Sequence, residues 1–220
     1  MKFKEIKTIK SILSARIGRV WPLVLLTALA RKNAIFNKTR WSKIRGLESE
    51  FIKRISPAPA LYVTLGKRLG RDKAFEVMEE LLVSIGCEEQ WDHLNSMDFA
   101  EGSEMKRLMA FNELMDQKGA PRFNTREYIT QDTNTCHFLI TRCVFNDFYA
   151  EAGTPELTKL FCEVDRRFFP EAFPGLTFHR GNSWENTIAY GKDHCEFVFE
   201  KKEAIWERNI FSAKNLWQEW

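Results

Sequence analysis

The stretch from residue 175 to residue 200, GLTFHRGNSWENTIAYGKDHCEFVFE, decides the fold class. Three runs within it, at residues 175–180, 185–190 and 194–200, alternate apolar and polar side chains, and such alternation predicts strands. The last two runs flank Gly191-Lys192-Asp193, a short loop typical of a β-hairpin. The stretch therefore predicts antiparallel pairing.

Upstream of this stretch, residues 127–132 and 135–141 also alternate, and the chain before them has helical periodicity. Helices are predicted at residues 40–55 and 59–69, from Asp72 to Gly86, and from Ser103 to Gly119. Another should begin at Thr154-Pro155-Glu156, where a capping residue precedes a proline in the first turn. The sequence predicts an α+β fold: a helical N-terminal half followed by a small antiparallel sheet with packed helices.

Charge divides the chain unevenly. Residues 1–54 contain 14 Lys/Arg and 3 Glu, a net charge of +11, so the remaining residues carry −8. Six apolar residues recur at helical spacing in the first twenty, which indicates a basic amphipathic helix: Phe3, Ile6, Ile9, Leu13, Ile17 and Val20. This helix either packs on the acidic body or lies on an anionic membrane surface, and packing is the commoner use of such a face.

We predict three parts: a basic helical extension at residues 1–56, an α+β domain at 57–202, and an aromatic tail at 203–220 that packs on the body. The longest apolar run, residues 20–30, is too short for the about 20 residues that cross a bilayer. The basic lead before it is too long for a signal peptide, and no nucleic-acid-binding module is recognisable. We expect a cytoplasmic protein, with peripheral contact to an anionic membrane as an open alternative. The sequence leaves the oligomeric state open.

The five cysteines form no CxxC pair, which argues against a disulfide scaffold and a zinc ribbon, and we expect no metal and no cofactor. Cys143 lies where a strand gives way to a helix, a position that favours a thiolate. In the helix after Thr154, Cys162 and Asp165 lie on the flank of an apolar stripe, where a cleft wall would be. The plainer interpretation is a buried cysteine beside a locally paired aspartate.

Three residues of the stretch that decides the fold point toward its apolar side. Cys195 shares a strand face with two phenylalanines, and Thr187 falls opposite it if the intervening loop has three residues. Arg180 alternates with Leu176 and Phe178. An inward arginine needs an anion, which either Asp165 or a substrate carboxylate would supply.

Two motifs carry a resemblance to a known family. The first runs from Cys143 through Gly153-Thr154-Pro155-Glu156-Leu157 to Cys162-Glu163-Val164-Asp165, and the second contains Thr187, Gly191 and Cys195-Glu196-Phe197. Together they resemble the L-2-amino-thiazoline-4-carboxylic acid hydrolase family, from about Leu61 to about Lys201. The basic extension and the tail lie outside the resemblance.

The resemblance implies hydrolysis of a cyclic amidine or thiazoline ring in a small carboxylate-bearing molecule. Such a reaction needs a base for water, a proton donor for the leaving atom and a cation for the carboxylate. We assign Asp165 as the base and Arg180 as the group that binds the carboxylate, with Thr187 beside the substrate. Cys143 or Cys162 is assigned as the nucleophile or the proton donor. Cys195 completes the candidate catalytic set. A covalent thiolate route and direct attack by water both remain open.

Two other classes of function fit the same residues. The inward cysteine, threonine and phenylalanine positions would also line the pocket of a non-catalytic small-molecule or lipid-binding module at a membrane surface. Alternatively, three cysteines with an acid and a histidine describe a thiol-based metal or redox sensor, although no two of these cysteines have the local spacing of a ligand pair.

Overall fold

The computed structural model describes residues 3–99 and 102–202, and the predicted aromatic tail at 203–220 lies outside them. The helices of the described part are α1 (Phe3–Ile17), α2 (Trp21–Phe36), α3 (Leu47–Ile55), α4 (Pro57–Leu69), α5 (Arg71–Asn95), α6 (Glu104–Lys118), α7 (Val144–Glu151) and α8 (Thr158–Ala172). Its strands are β1 (Thr125–Gln131), β2 (Thr135–Arg142), β3 (Leu176–His179) and β4 (Cys195–Lys201). The predicted fold class, α+β with a helical N-terminal half and a small antiparallel sheet, is confirmed.

The chain forms two compact units. Of the described residues, the first unit contains 3–90 and 144–165, and the second contains 91–99, 102–143 and 166–202. Helices α1 to α4 and α7 belong to the first unit, whereas α6 and the whole sheet belong to the second. The division into residues 1–56, 57–202 and 203–220 stays a prediction.

In the first unit, the middle of the apolar face of α1 is buried. Ile9, Ile12 and Leu13 are buried, whereas Ile6 is 43% exposed and Ile17 is half-buried. Polar contacts also join the helix to α5: Arg16 Nε lies 2.7 Å from Glu80 Oε2, and Thr8 Oγ1 and Lys4 Nζ lie 3.4 Å and 4.0 Å from the carboxylate of Glu88. The basic helix therefore packs on acidic residues of its own unit, as the commoner of the two interpretations predicted.

Two glycines change the helix boundaries that the periodicity predicted. The predicted helix over residues 40–55 is interrupted at Gly46, whose φ of +130° is incompatible with a helix, and α3 begins at Leu47. Conversely, α5 continues through Gly86 to Asn95. A Cβ at position 86 would lie 2.6 Å from Val164 Cγ2, so this glycine allows close packing and does not end the helix.

In the second unit, the four strands form one antiparallel sheet in the order β1-β2-β4-β3. Four of the five predicted strands are present, but the one at residues 185–190 is wrong. Its end forms a 3₁₀ turn, Ile188–Tyr190, which closes at Gly191 in the left-handed region with φ of +81°. The amide of Lys192 donates to the Thr187 carbonyl oxygen over 3.2 Å, so this segment bonds to itself and β4 pairs with β2 and β3.

Candidate active site

One face of the sheet is lined with phenylalanine rings. Phe138 and Phe197 are directly opposite each other on β2 and β4 and stack with centroids 4.8 Å apart. Phe178 and Phe199 form a second stacked pair, 4.6 Å apart, on β3 and β4. Because side chains of successive residues alternate between faces, Cys195 lies on this same face, as predicted.

Arg180 is buried at the edge of this aromatic face. It follows β3 directly and is only 2% exposed. Its guanidinium carbon lies 4.1 Å from the ring centroid of Phe197 and 4.9 Å from that of Trp184, both within the range of cation–π attraction. One terminal nitrogen also lies 3.4 Å from the Glu196 carbonyl oxygen. The inward orientation predicted for Arg180 is therefore present in the structure.

The segment after Arg180 folds back over it and holds its backbone. Asn186 Nδ2 donates to the Arg180 carbonyl oxygen over 2.9 Å and to Asn182 Oδ1 over 3.0 Å. Gly181 makes the turn possible with a φ of +65°. The segment also brings Trp184 to the arginine, a contact that alternation in the strand gave no means to predict.

Thr187 and Cys195 meet in the second unit, although by a different route from the predicted hairpin. The amide of Ile188, next to Thr187, donates to the sulfur of Cys195 over 3.3 Å. One residue further, the amide of Glu196 donates to the Asn186 carbonyl oxygen over 3.1 Å. Thr187 is fully buried and Cys195 is 6% exposed. These bonds place Thr187 and Cys195 in the same small region as Arg180.

The opposite face of the sheet carries His–Glu pairs that the sequence reasoning did not identify. His137 Nε2 lies 3.3 Å from Glu196 Oε1, and His179 Nε2 lies 3.4 Å from Glu200 Oε2. The sequence contained a signal for these pairs, because His137 and Glu196 each directly precede a phenylalanine of the aromatic face and must therefore lie on the opposite face. Within residues 3–99 and 102–202, no group of three or more His, Cys, Asp or Glu side chains is arranged to hold a metal ion.

The remaining cysteines differ in their surroundings. Cys143 is half-buried and immediately precedes α7, in the strand-to-helix position that the sequence predicted. Cys136 is completely buried on β2, and burial raises the pKa of its thiol to about 11. At neutral pH Cys136 is therefore a protonated thiol and a poor nucleophile. Cys87 lies 3.9 Å from the Val164 carbonyl oxygen, where it packs against α8.

In the first unit, a row of small polar side chains runs from Thr154 into α8. Thr154, Thr158 and Cys162 recur every fourth residue and are all buried, at 2%, 2% and 7% exposure. Neither threonine hydroxyl has a hydrogen-bond partner among the described residues. Thr154 was expected to cap the helix with its side chain; it occupies the capping position, but its hydroxyl makes no capping bond because a 3₁₀ turn, Pro155–Leu157, precedes α8.

The glutamate of the first motif anchors this turn to α4 and α5. Tyr62 donates its hydroxyl proton to Glu156 Oε1 over 2.7 Å, and Arg71 Nε donates to the same oxygen over 2.8 Å. Burial by itself would raise the pKa of Glu156, but these bonds outweigh it and lower that pKa below its usual value. Glu156 is therefore charged at neutral pH and fixes the position of the motif.

Cys162 and Asp165 lie on α8 in the first unit, whereas Cys143, Arg180, Thr187 and Cys195 belong to the second. The structure brings Arg180, Thr187 and Cys195 together. That Cys162 and Asp165 share one site with them stays a prediction.

A family model matches residues 49–199 of this chain, a range that contains every candidate site residue. The matching model is that of L-2-amino-thiazoline-4-carboxylic acid hydrolase. The chain belongs to this hydrolase family. The family resemblance predicted from the two motifs is thus confirmed, and the hydrolase match excludes residues 1–48, which contain α1 and α2.

No curated protein matches this hydrolase-family chain. Among solved structures, it is similar to an unliganded Fe(II) H-NOX protein from K. algicida, with 13% identity, a TM-score of 0.38, and coverage of 92% of this chain and 97% of that chain. An Fe(II)NO H-NOX protein from S. oneidensis gives 12% identity, a TM-score of 0.37, and coverage of 92% and 99%. Similarity this low carries no argument about fold or function.

Proposed function

We propose that the protein is a hydrolase that opens a cyclic amidine or thiazoline ring in a small molecule bearing a carboxylate. Membership of the hydrolase family supports the reaction class. The substrate carboxylate is inferred from Arg180, which is buried and lies against the rings of Phe197 and Trp184. A guanidinium in such surroundings binds a carboxylate strongly, because little water competes for it.

For the namesake substrate, 2-amino-thiazoline-4-carboxylate, the reaction consumes one water. The water oxygen bonds to the amidine carbon, and the bond from that carbon to the ring sulfur breaks. The sulfur takes up a proton, so the product is N-carbamoyl-cysteine with a free thiol. In our proposal Asp165 accepts the proton of the attacking water and Arg180 binds the carboxylate.

The cysteines allow two routes within this proposal. Cys143 or Cys162 either attacks the amidine carbon as a thiolate or donates the proton that the ring sulfur takes up. In the first route the bond from that carbon to the ring sulfur breaks, and water then cleaves the new bond between the carbon and the enzyme sulfur, which frees the cysteine. Cys136 has neither role, since its buried thiol is protonated at neutral pH. Thr187 and Cys195 lie beside Arg180, and we propose that they contact the substrate there.

Release of the product thiol gives a direct assay. Purified full-length protein should generate one thiol, detected with a chromogenic disulfide reagent, for each 2-amino-thiazoline-4-carboxylate consumed. Asp165→Asn should lower kcat by at least about a hundredfold, the usual contribution of a general base, with little change in melting temperature. If the variant unfolds at a lower temperature while its folded fraction keeps full activity, Asp165 is a structural residue.

Thiol titration of the native protein distinguishes the competing functions. A single fast-reacting cysteine that substrate protects supports catalysis. If the protein turns over no cyclic amidine but one of these compounds still raises its melting temperature, the hydrolase proposal is contradicted and a binding module is supported. Loss of thiol reactivity on adding a metal ion, again without turnover, would support a sensor.

A further inference from the structure

Helix α2 exposes an apolar face along its whole length. Leu23 and Leu26 are 66% and 64% exposed, although most leucines in a folded chain are buried. The exposed positions of this helix recur at the spacing of one helical face: Pro22, Leu23, Leu26, Leu29, Ala30, Asn33 and Ala34. We call this set the α2 face.

The buried residues that hold this helix in the first unit are not those of the α2 face. Val24, Ala28 and Phe36 are buried on the other side of α2, which packs on α4. On α1, by contrast, Ile9, Ile12 and Leu13 are buried and Ile6 is 43% exposed. Among the side chains that the structure describes, α2 therefore exposes more large apolar residues than α1, and we place the membrane-facing surface on α2.

The stretch of chain that contains α2 carries charge of one sign. No Asp or Glu occurs between Glu5 and Glu48, a stretch that contains ten Lys and Arg residues. Two of these, Arg19 and Lys38, are exposed just before and just after α2, so the uncharged face has a cation at each end. Basic side chains at the ends of an apolar helix face suit the headgroup layer of an anionic bilayer.

We propose that the α2 face docks the protein on an anionic membrane surface. Leu23, Leu26 and Leu29 enter the boundary between headgroups and acyl chains, and Arg19 and Lys38 contact the phosphates. The helical stretch Lys4–Phe36 is also long and apolar enough to cross a membrane, but core helices and signal sequences meet the same criteria of length and composition. We assign surface docking because the buried side of α2 is used within the first unit.

Co-sedimentation of the full chain with vesicles tests the proposal. The vesicles contain equal parts phosphatidylcholine and phosphatidylglycerol, and pure phosphatidylcholine vesicles serve as reference. Leu23→Ser with Leu26→Ser should weaken binding to the anionic vesicles at least about tenfold, since it removes two apolar side chains that would be buried at the acyl-chain boundary. Arg19→Gln with Lys38→Gln should weaken binding to anionic vesicles only.

Leu47→Ser is the matched control. Leu47 is 62% exposed on α3, so its substitution removes a comparable apolar side chain from outside the α2 face. It should leave vesicle binding unchanged, and the melting temperature of every variant should stay within a few degrees of the wild type because all positions are exposed.

Four results would overturn the proposal. The first is no binding by the wild type at low salt, and the second is an equal loss of vesicle binding in the α2 and Leu47 variants. The third is retention of the bound protein after alkaline carbonate washing. The fourth is a concentration-dependent dimer that forms without lipid and that Leu23→Ser with Leu26→Ser abolishes. The third would indicate insertion across the membrane, and the fourth would identify a second copy of the chain as the partner.

Discussion

Two charged groups on opposite faces of the sheet have contrasting surroundings. Arg180, at the edge of the aromatic face, is 2% exposed and lies against Phe197 and Trp184. On the other face, the side chains of the His137–Glu196 pair are each 25% exposed. A partly exposed pair of this kind contributes little to stability, whereas a buried cation that packs against aromatic rings is costly to desolvate and suits recognition of an anion.

The largest effect on folding should come from the aromatic face. Phe197→Ala should lower the free energy of unfolding by about 2 kcal/mol, because it removes ring contacts with Phe138, Phe178 and Arg180. His179→Ala, on the other face, should change it by less than about 0.5 kcal/mol. Urea denaturation of both variants measures the difference, and equal losses would show that the two faces are energetically alike.

A smaller effect, of opposite sign, is expected in the first unit. Thr158→Val should raise the free energy of unfolding by about 1 kcal/mol, since it removes a buried hydroxyl with no hydrogen-bond partner among the described residues. If that hydroxyl contacts the substrate, the same variant should also have a lower kcat/KM. Thr141→Val, at an exposed position of β2, is the control. A destabilised Thr158→Val protein would mean that its hydroxyl is bonded within the fold.

The third effect is a pH dependence at Cys136. Folding raises the pKa of this thiol from 9.0 to about 11, so above pH 9 the unfolded chain loses a proton that the folded chain retains. Stability should therefore be complete below about pH 9 and fall as the pH rises toward 11. Cys136→Ala should remove this part of the decline, measured as the change in urea midpoint with pH. Parallel pH profiles of the variant and the wild type would contradict the assignment.

The sequence was a good guide wherever a pattern repeats along the chain. Alternation located β2 and β4, and it predicted that Arg180 points inward between Leu176 and Phe178. Ser103 was correctly expected to open α6, since its hydroxyl accepts from the Lys106 amide. These features depend on residues close in sequence, so local periodicity and capping suffice to predict them.

The failures occur where a tertiary contact or an irregular turn overrides the local pattern. Residues 185–190 alternate like a strand, but the amide of Ile188 bonds to the sulfur of Cys195 and the segment turns. Gly86 resembles a helix stop, yet Val164, 78 positions later, requires the absence of a side chain there. Trp184 reaches Arg180 only because an irregular segment folds back.

A comparison of two substrates shows whether Arg180 binds the substrate carboxylate. We measure kcat/KM for 2-amino-thiazoline-4-carboxylate and for 2-amino-thiazoline, which lacks the carboxylate. The wild type should prefer the first by about a hundredfold, since a charge-assisted bond to a buried guanidinium contributes about 1.5–3 kcal/mol. Arg180→Met should lose this preference, because its activity should fall on 2-amino-thiazoline-4-carboxylate and not on 2-amino-thiazoline.

Arg166→Met is the matched control, because Arg166 lies 5.4 Å from the same Trp184 ring but is exposed. This variant should keep the wild-type preference. If Arg180→Met keeps the preference, or loses activity on both substrates equally, Arg180 does not bind the carboxylate and the account is wrong.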